Sequence, residues 1–336
     1  MRDVAALAGV SLKTVSRVVN RESGVSPEMT GRVAAAVARL DYRHNLAASN
    51  LRRGQRTRSI GVLLQDVANS FSASILRAVE DRCTSLGVVV LAASIDEEPE
   101  RERALVSNLV SRRVDGLVLM PSTADQSYLL QDVRAGLAVV VVDRPVHGLH
   151  VDCVTVDNEG GTRLAVEHLL AFGHRRIGYV GDLPSIATAA ARLDGYASGL
   201  AAGGVPVDAA LMRVGRDEAA STAAVADLLG APDPPTAIVA GRNVLAVGAV
   251  RALQEAGLSH RVALVGFDDF PMSDLLDPGL TVIRQDVNTI GRTAAGLLLS
   301  RVEGVESEAL RQPRRVVLPT ALVPRGSGEV PATDPR

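Results

Sequence analysis

From Ile60 to Val265 the chain alternates continuous apolar runs with amphipathic stretches of helical period, a pattern that few folds accept. The first runs are Ile60–Leu64, Val88–Leu91, Gly116–Met120 and Ala138–Val142, separated by helical segments at 72–86, 98–112 and 126–135. A strand that is apolar on both faces needs cover on both, and strands alternating with helices predict βαβ units around a buried parallel sheet. The alternation restarts at Cys153–Val156. Helices are predicted at 160–172, 187–202, 218–229 and 243–256, with strands at 177–180, 211–214, 236–240 and 262–265. The result is an α/β core of two doubly wound subdomains facing each other. Ligands bind such sheets at the carboxyl ends of the strands, so two facing sheets make a cleft that hinge motion can close.

The first forty residues follow a different rule. Asp3 is placed to cap a short helix carrying Val4 and Leu7, and Gly9 suits its left-handed end. Ser11 then caps a second helix with Leu12, Val15, Val18 and Val19 at helical spacing and Asn20 as a stop. Lys13, Thr14, Ser16 and Arg17 occupy its outward face, the architecture of a helix-turn-helix. Ser26-Pro27 starts a third helix with Val33, Ala36, Val37 and Leu40 on one side. An isolated match of this length also fits an ordinary αα-hairpin, so context has to decide. Residues 1–58 hold eleven Lys or Arg against four acids, in a chain whose net charge is −2. A basic head on an acidic body is the footprint of a polyanion-binding module, and the sole lysine, Lys13, lies on its second helix. Asn45–Gly54 is too short for a stable isolated helix, and 55–59 reads as a basic linker.

Other classes find little support. Cys83 and Cys153 lie in apolar segments without a CxxC or Cys/His cluster, so no metal site and no cofactor are expected. The sequence holds no P-loop, no G-x-S-x-G and no G-x-G-x-x-G after a strand, so neither a catalytic residue nor an enzyme is predicted. Adjacent Asp268 and Asp269 on one loop are poorly placed to converge on a substrate. No signal peptide or membrane span is read, which predicts a cytoplasmic protein. A solute-binding protein without a transcriptional role is the competing reading. The cleft fits it, whereas the basic head does not.

The residues Asp3-Val4-Ala5, Ala8-Gly9-Val10-Ser11 and Thr14 to Asn20 resemble the signature of the lactose-repressor (LacI/GalR) transcription regulators. The resemblance continues through Val114–Leu117, Asp143-Arg144-Pro145, Val156-Asp157-Asn158, Gly173–Ile177, Arg192-Leu193, Gly195-Tyr196, Val265–Asp269 and Leu280-Thr281. It covers residues 3 to about 325, with every motif in order. It implies a headpiece over 1–44, a hinge helix and linker over 45–59, and an effector-binding and dimerisation core over 60–325. Three chain crossings would divide that core into 60–155 with 286–315, and 156–285 with 316–325. The remainder, 326–336, is expected to be a disordered tail without heptads, which argues for a dimer rather than a tetramer.

The family's base readers fall on Leu12, Lys13 and Arg17. Arginine and lysine donate to guanine, and leucine packs on a thymine methyl. Ser11, Thr14, Ser16 and Asn20 are better placed to position phosphates. Ala48 and Leu51 match the hinge, the leucine as a minor-groove wedge. The partners implied are a pseudo-palindromic operator, a second copy of the chain and a sugar-like effector. The family's effector wall maps onto Asp66, Asn69, Phe71, Asp143, Arg192, Arg242, Asn243, Asp268 and Gln285. Carboxylates and guanidinium groups suit sugar hydroxyls through charge-assisted hydrogen bonds. An ion pair between Arg192 and Asp268 with a purely structural, interdomain role fits the same residues. Phe71, Tyr196 and Phe270 are the aromatics available to stack on a sugar face. Arg242-Asn243 departs from the usual Asn-Asp: Asn243 can still cap a helix, and Arg242 adds a positive charge. With Arg192 and Arg144 that charge would suit an acidic effector, unless Arg242 points to solvent.

Overall fold

The structure, a computed structural model, describes residues 1–20, 22–42, 56–304 and 312–332. The hinge positions Ala48 and Leu51 lie outside the described residues. Two compact units emerge, Met1–Thr57 and Arg58–Arg336.

The first unit packs α1 (Arg2–Ala8), α2 (Leu12–Val19) and α3 (Pro27–Arg39) around Val4, Ala5, Ala8, Val15, Val33 and Ala36. Gly9 ends α1 at φ 62, and its N–H reaches the carbonyls of Ala5 and Ala6. Ser11 and Ser26 cap α2 and α3 by accepting from the Thr14 and Met29 amides. Asp3 does not cap α1. The helix already includes it, with Met1 at the cap, and Asp3 contributes its charge to the first turn. Leu7 and Leu40 are also largely exposed, so small residues rather than leucines make this core.

The second unit contains two six-stranded sheets. In the first subdomain these are β1 (Ser59–Leu64), β2 (Val89–Ser94), β3 (Gly116–Leu119), β4 (Ala138–Val142) and β5 (Asp152–Val156). Helices α4 (Ser70–Thr84), α5 (Pro99–Ser111) and the short α6 (Leu130–Arg134) connect them. The predicted helix over 126–135 is thus mostly a 3-10 turn at Ser127–Leu129 followed by α6. The second subdomain alternates α7 (Asn158–Ala171), β6 (Ile177–Gly181), α8 (Ala187–Ala202), β7 (Met212–Val214), α9 (Glu218–Leu229), β8 (Ala237–Ala240), α10 (Asn243–Glu255), β9 (Ala263–Phe267) and β10 (Thr281–Gln285). The chain then returns to the first subdomain with α11 (Val287–Glu303) and β11 (Arg315–Leu318), and finishes in the second with β12 (Thr320–Val323).

Strand order is β11-β5-β4-β3-β1-β2 in one sheet and β12-β10-β9-β8-β6-β7 in the other. Among the described residues every strand pairing in these sheets is parallel except β10 with β12. Each sheet has apolar packing on both faces, as its continuous apolar strands require.

The three crossings lie side by side. Leu318 pairs with Val156, Gln285 pairs with Thr320, and the Asp157 amide donates to the Leu318 carbonyl at 3.0 Å. Asp157 and Asp286 cap the helices that begin after the first two crossings. The third crossing occurs at Pro319 rather than after residue 315, because β11 runs in register with β5 as far as Leu318. Proline has no N–H to continue a ladder, and the chain changes sheets there.

The expected disordered tail is corrected as well. Ser327 and Val330 are buried, and a 3-10 turn spans Ser327–Glu329. Glu329 accepts from the Thr281 hydroxyl (2.8 Å) and pairs with His168, while the Val330 carbonyl bonds to His174 Nε2 at 2.8 Å. Composition suggested a loose end; specific polar partners on β10 and α7 hold residues 326–332 in place.

Candidate functional site

Two sets of side chains stand out, one in each unit. On α2, Leu12, Lys13 and Arg17 are exposed while Val15 anchors the helix from the opposite side. That leaves an arginine, a lysine and an apolar side chain free to meet a groove. The positioning residues are engaged locally. Ser11 Oγ and Thr14 Oγ1 are 2.9 Å apart, and Asn20 Nδ2 donates to the Ser16 carbonyl and hydroxyl. These bonds fix the two ends of α2, and the hydroxyls retain acceptor capacity for a further contact.

The second set lies where the sheets face each other. Asp143 follows β4 and Asp268 follows β9, both in the left-handed region (φ 69 and 72) and both buried. A strained, buried carboxylate at the carboxyl end of a parallel strand is a frequent mark of a functional position. Arg192, only 5 % exposed, comes down from α8 onto this region. Its Nε donates to Asn158 Oδ1 and its Nη1 to the Gly241 carbonyl, each at 2.8 Å. Its guanidinium stacks 3.8 Å from the Phe267 ring centre, and Nη1 is 3.8 Å from Asp268. This approach depends on Gly195, one turn further along α8. A Cβ there would come within 2.2 Å of the Glu159 carbonyl of α7.

Gln285 Nε2 donates to Asp268 at 2.5 Å, and its Oε1 is buried without a hydrogen-bond partner. Burial pushes the Asp268 carboxyl above the ordinary carboxylate range, against the pull of Arg192 and Gln285, and Asp143 adds to the rise. The Arg192–Asp268 pair lies within the second subdomain, so it is not the interdomain bridge that the sequence allowed. The bridge is elsewhere. Asn69, which caps α4 in the first subdomain, and Asn243 at the start of α10 in the second exchange amide hydrogen bonds of 3.2 and 3.0 Å.

Arg242 does not bring a free positive charge to the cleft. Its Nη1 pairs with Asp182, which follows β6. Arg144 is likewise held by Glu97 through both terminal nitrogens, with Asp143 at 3.6 Å. The arginines at the cleft therefore face carboxylates, and the case for an acidic effector weakens. Arg242, rather than Asn243, is the cap residue of α10; Asn243 Oδ1 instead accepts from the Val244 amide. Asp66 is half-buried, with Oδ1 closing a turn onto the Ala68 amide at 2.8 Å. Tyr196 is removed from the candidate stackers: it is fully buried and its hydroxyl donates to the Ile177 carbonyl.

A cavity of about 380 Å³ opens beside this network. Of the expected effector wall it includes Phe71, Asp268 and Gln285, and it leaves out Asp66, Asn69, Asp143, Arg192, Arg242 and Asn243. Sequence reasoning missed Asn158, Asp182 and Glu97. Asp182, like Asp143 and Asp268, is a polar residue just past a parallel strand, a position that could have marked it. Glu97 gave no signal within its acidic loop. Among the described residues no group of His, Cys, Asp and Glu is arranged to hold a metal ion, and no helix is long and apolar enough to cross a membrane.

An exposed basic helix on a three-helix head, joined to a core with a polar cleft between two hinged sheets, defines a ligand-responsive DNA-binding protein. Comparison with known proteins agrees. A model of the lacI family of bacterial regulatory proteins matches residues 1–45, and one of a periplasmic binding protein-like domain matches 166–328. The chain is 30% identical over 320 residues to catabolite control protein A of Priestia megaterium, spanning 94% of this chain and 96% of that protein. The crystal structure of the lac repressor dimer bound to operator and the anti-inducer ONPF superposes with a TM-score of 0.84 at 30% identity, covering 97% of this chain and 98% of that one. A transcriptional regulator CelR–cellobiose complex does so with a TM-score of 0.72 at 31% identity, covering 97% and 98%. The chain belongs to the lacI family of bacterial regulatory proteins. It is a DNA-binding transcriptional regulator.

Proposed function

We propose that this chain is a cytoplasmic, non-catalytic repressor that acts as a homodimer on a pseudo-palindromic operator, with a sugar effector in the interdomain cleft setting its affinity for DNA. The observation that carries this reading is the polar cleft itself. Two buried carboxylates, Asp143 and Asp268, face it from opposite subdomains, and Asn69 and Asn243 join across it beside three adjacent crossing strands. A ligand that prefers one arrangement of the two subdomains shifts the equilibrium by its differential affinity, and a headpiece sensitive to that arrangement transmits the shift. Dimerisation is supported by β2, an edge strand whose Val89 and Leu91 are exposed, since an open apolar edge calls for a partner.

Leu12, Lys13 and Arg17 read bases in this scheme, Ser11, Thr14, Ser16 and Asn20 position phosphates, and the hinge residues Ala48 and Leu51 serve the minor groove, the leucine as its wedge. The test is fluorescence anisotropy of the full chain on its own upstream DNA, with and without sugars, at two salt concentrations. Arg17→Ala is expected to lose about 1–3 kcal/mol of specific binding. Leu51→Ala should abolish specific binding while leaving the salt-sensitive, sequence-independent component. Near-wild-type operator affinity in Leu51→Ala, or no sugar that alters operator affinity, would refute the corresponding part.

A further inference from the structure

The cavity beside the buried network has its own chemistry. It is lined by Phe71 and Ser74 of α4, by Phe270 and Met272 of the loop after β9, and by Arg284 of β10, and it meets the network at the shared wall of Asp268 and Gln285. At about 380 Å³ it is a compartment in its own right, within the range of small-molecule sites. We propose that the effector occupies two compartments and is an uncharged disaccharide, or a glycoside of that size, rather than a single sugar ring. One ring would lie against Arg192, Asp268 and Asn243, and the second in the cavity between Phe71 and Phe270. This inference rests on the cleft being the effector site.

Three observations support it. First, Gln285 sits at the junction with its amide nitrogen committed to Asp268 and its Oε1 buried without a partner. A buried acceptor left unsatisfied is costly, and a hydroxyl near the link between two rings would satisfy it. Second, the cavity combines two aromatic rings and a methionine with hydroxyl groups from Ser70, Ser74 and Ser273. Apolar faces with a few convergent polar groups suit a ring that has an apolar face and a polar rim. Third, charge there is balanced. Arg325 is held by Asp269 through bonds of 2.8 and 2.7 Å, and Asp274 and Arg284 contribute one charge of each sign. Arg242 and Arg144 are answered by Asp182 and Glu97 on the inner side. An added phosphate or carboxylate would find no surplus positive charge in this lining, so a neutral ligand is favoured.

Isothermal titration of the full chain tests this with glucose and galactose as single rings, cellobiose, maltose and lactose as double rings, and glucose 6-phosphate as the anionic control. A double-ring sugar is expected to bind at least about tenfold more tightly than its constituent ring, and glucose 6-phosphate no better than glucose. Phe270→Ala should weaken the disaccharide several-fold and leave the single ring unchanged. Ser74→Phe, which fills the cavity from an independent helix, should do the same, so a folding defect in either variant does not decide the matter. A single ring that binds as tightly as its disaccharide, with affinity lost in Asn243→Ala and kept in Ser74→Phe, overturns the two-compartment effector while the cleft reading stands. Tight binding of the phosphate overturns its neutrality. If no sugar of either size binds, the cleft reading fails and this inference fails with it.

Discussion

The two walls of the cleft are built on different plans. In the second subdomain Arg192, Asp182, Asp268 and Gln285 are each less than a tenth exposed and bonded to one another or to neighbouring backbone. In the first, Asp66, Asn69 and Phe71 are half-buried on a turn and a helix start, and the side chains of Asp66 and Asn69 close the turns onto Ala68 and Phe71. One wall is largely set before any ligand arrives. Arg192, Asp182 and Asp268 already have their partners, and of these four side chains only the Gln285 amide oxygen is left open. The other depends on local turns and can adapt. Preorganisation on one side lowers the cost of orienting a ligand, and adaptability on the other permits closure. Asp143 and Arg144 are the exception, a rigid outpost of the first subdomain locked to Glu97.

The largest test of this contrast is Arg192→Ala. It strands the Asp268 carboxylate and removes bonds to Asn158 and Gly241, so the core should lose about 3–5 kcal/mol, the cost of breaking a buried pair. Urea unfolding of the full chain measures it, and a loss as small as that of a surface residue would break the comparison. Asp268→Asn comes next and acts through pH. Burial raises the folded-state pKa of Asp268. Between the ordinary carboxylate value near 4 and that raised value, the folded chain binds more protons than the unfolded one, and stability falls as pH rises. The asparagine variant should lose that fall, with its melting temperature less dependent on pH as pH rises above about 4. A pH dependence equal to the parent's would place the titration elsewhere.

Asn243→Ala removes the reciprocal amide bonds with Asn69, made only when the walls meet. It should leave subdomain stability nearly intact and shift the closed form by about 0.5–1.5 kcal/mol, visible as a larger radius of gyration in small-angle scattering. The smallest effect is expected for Asp66→Ala, within about 0.5 kcal/mol of the parent on unfolding, because its bond serves one half-exposed turn. A large loss there would show that the first wall is as locked as the second.

Much of this fold was legible in the sequence because its signals are local. Continuous apolar strands forced covered parallel sheets, and Ser11, Ser26 and the helix over 187–202 were placed correctly from cap chemistry and period. Some misreadings were local, as at Asp3, Asn243 and the helix over 126–135, where the element began or wound differently. Others concern partners far apart along the chain. Arg242 meets Asp182 across 60 residues, Arg144 meets Glu97 across 47, and Glu329 meets His168 across 161. No periodicity reports such pairs, so Arg242 read as a spare charge and residues 326–332 as a loose end. Asp268 and Gln285 came from the family resemblance, and their place at the ends of parallel strands agrees with where such sheets bind ligands.

The three adjacent crossings also bear on how the protein is made. The described headpiece core draws on no residue later than Tyr42. The first subdomain cannot close its sheet until β11 has emerged, more than 160 residues after β5, with α11 arriving late to cover β3 and β4. At about 5–20 residues per second, β1 to β5 wait on the order of ten seconds or more on the ribosome with apolar surface uncovered. In that interval a nascent chain holds a finished DNA-binding module ahead of an unfinished sensor.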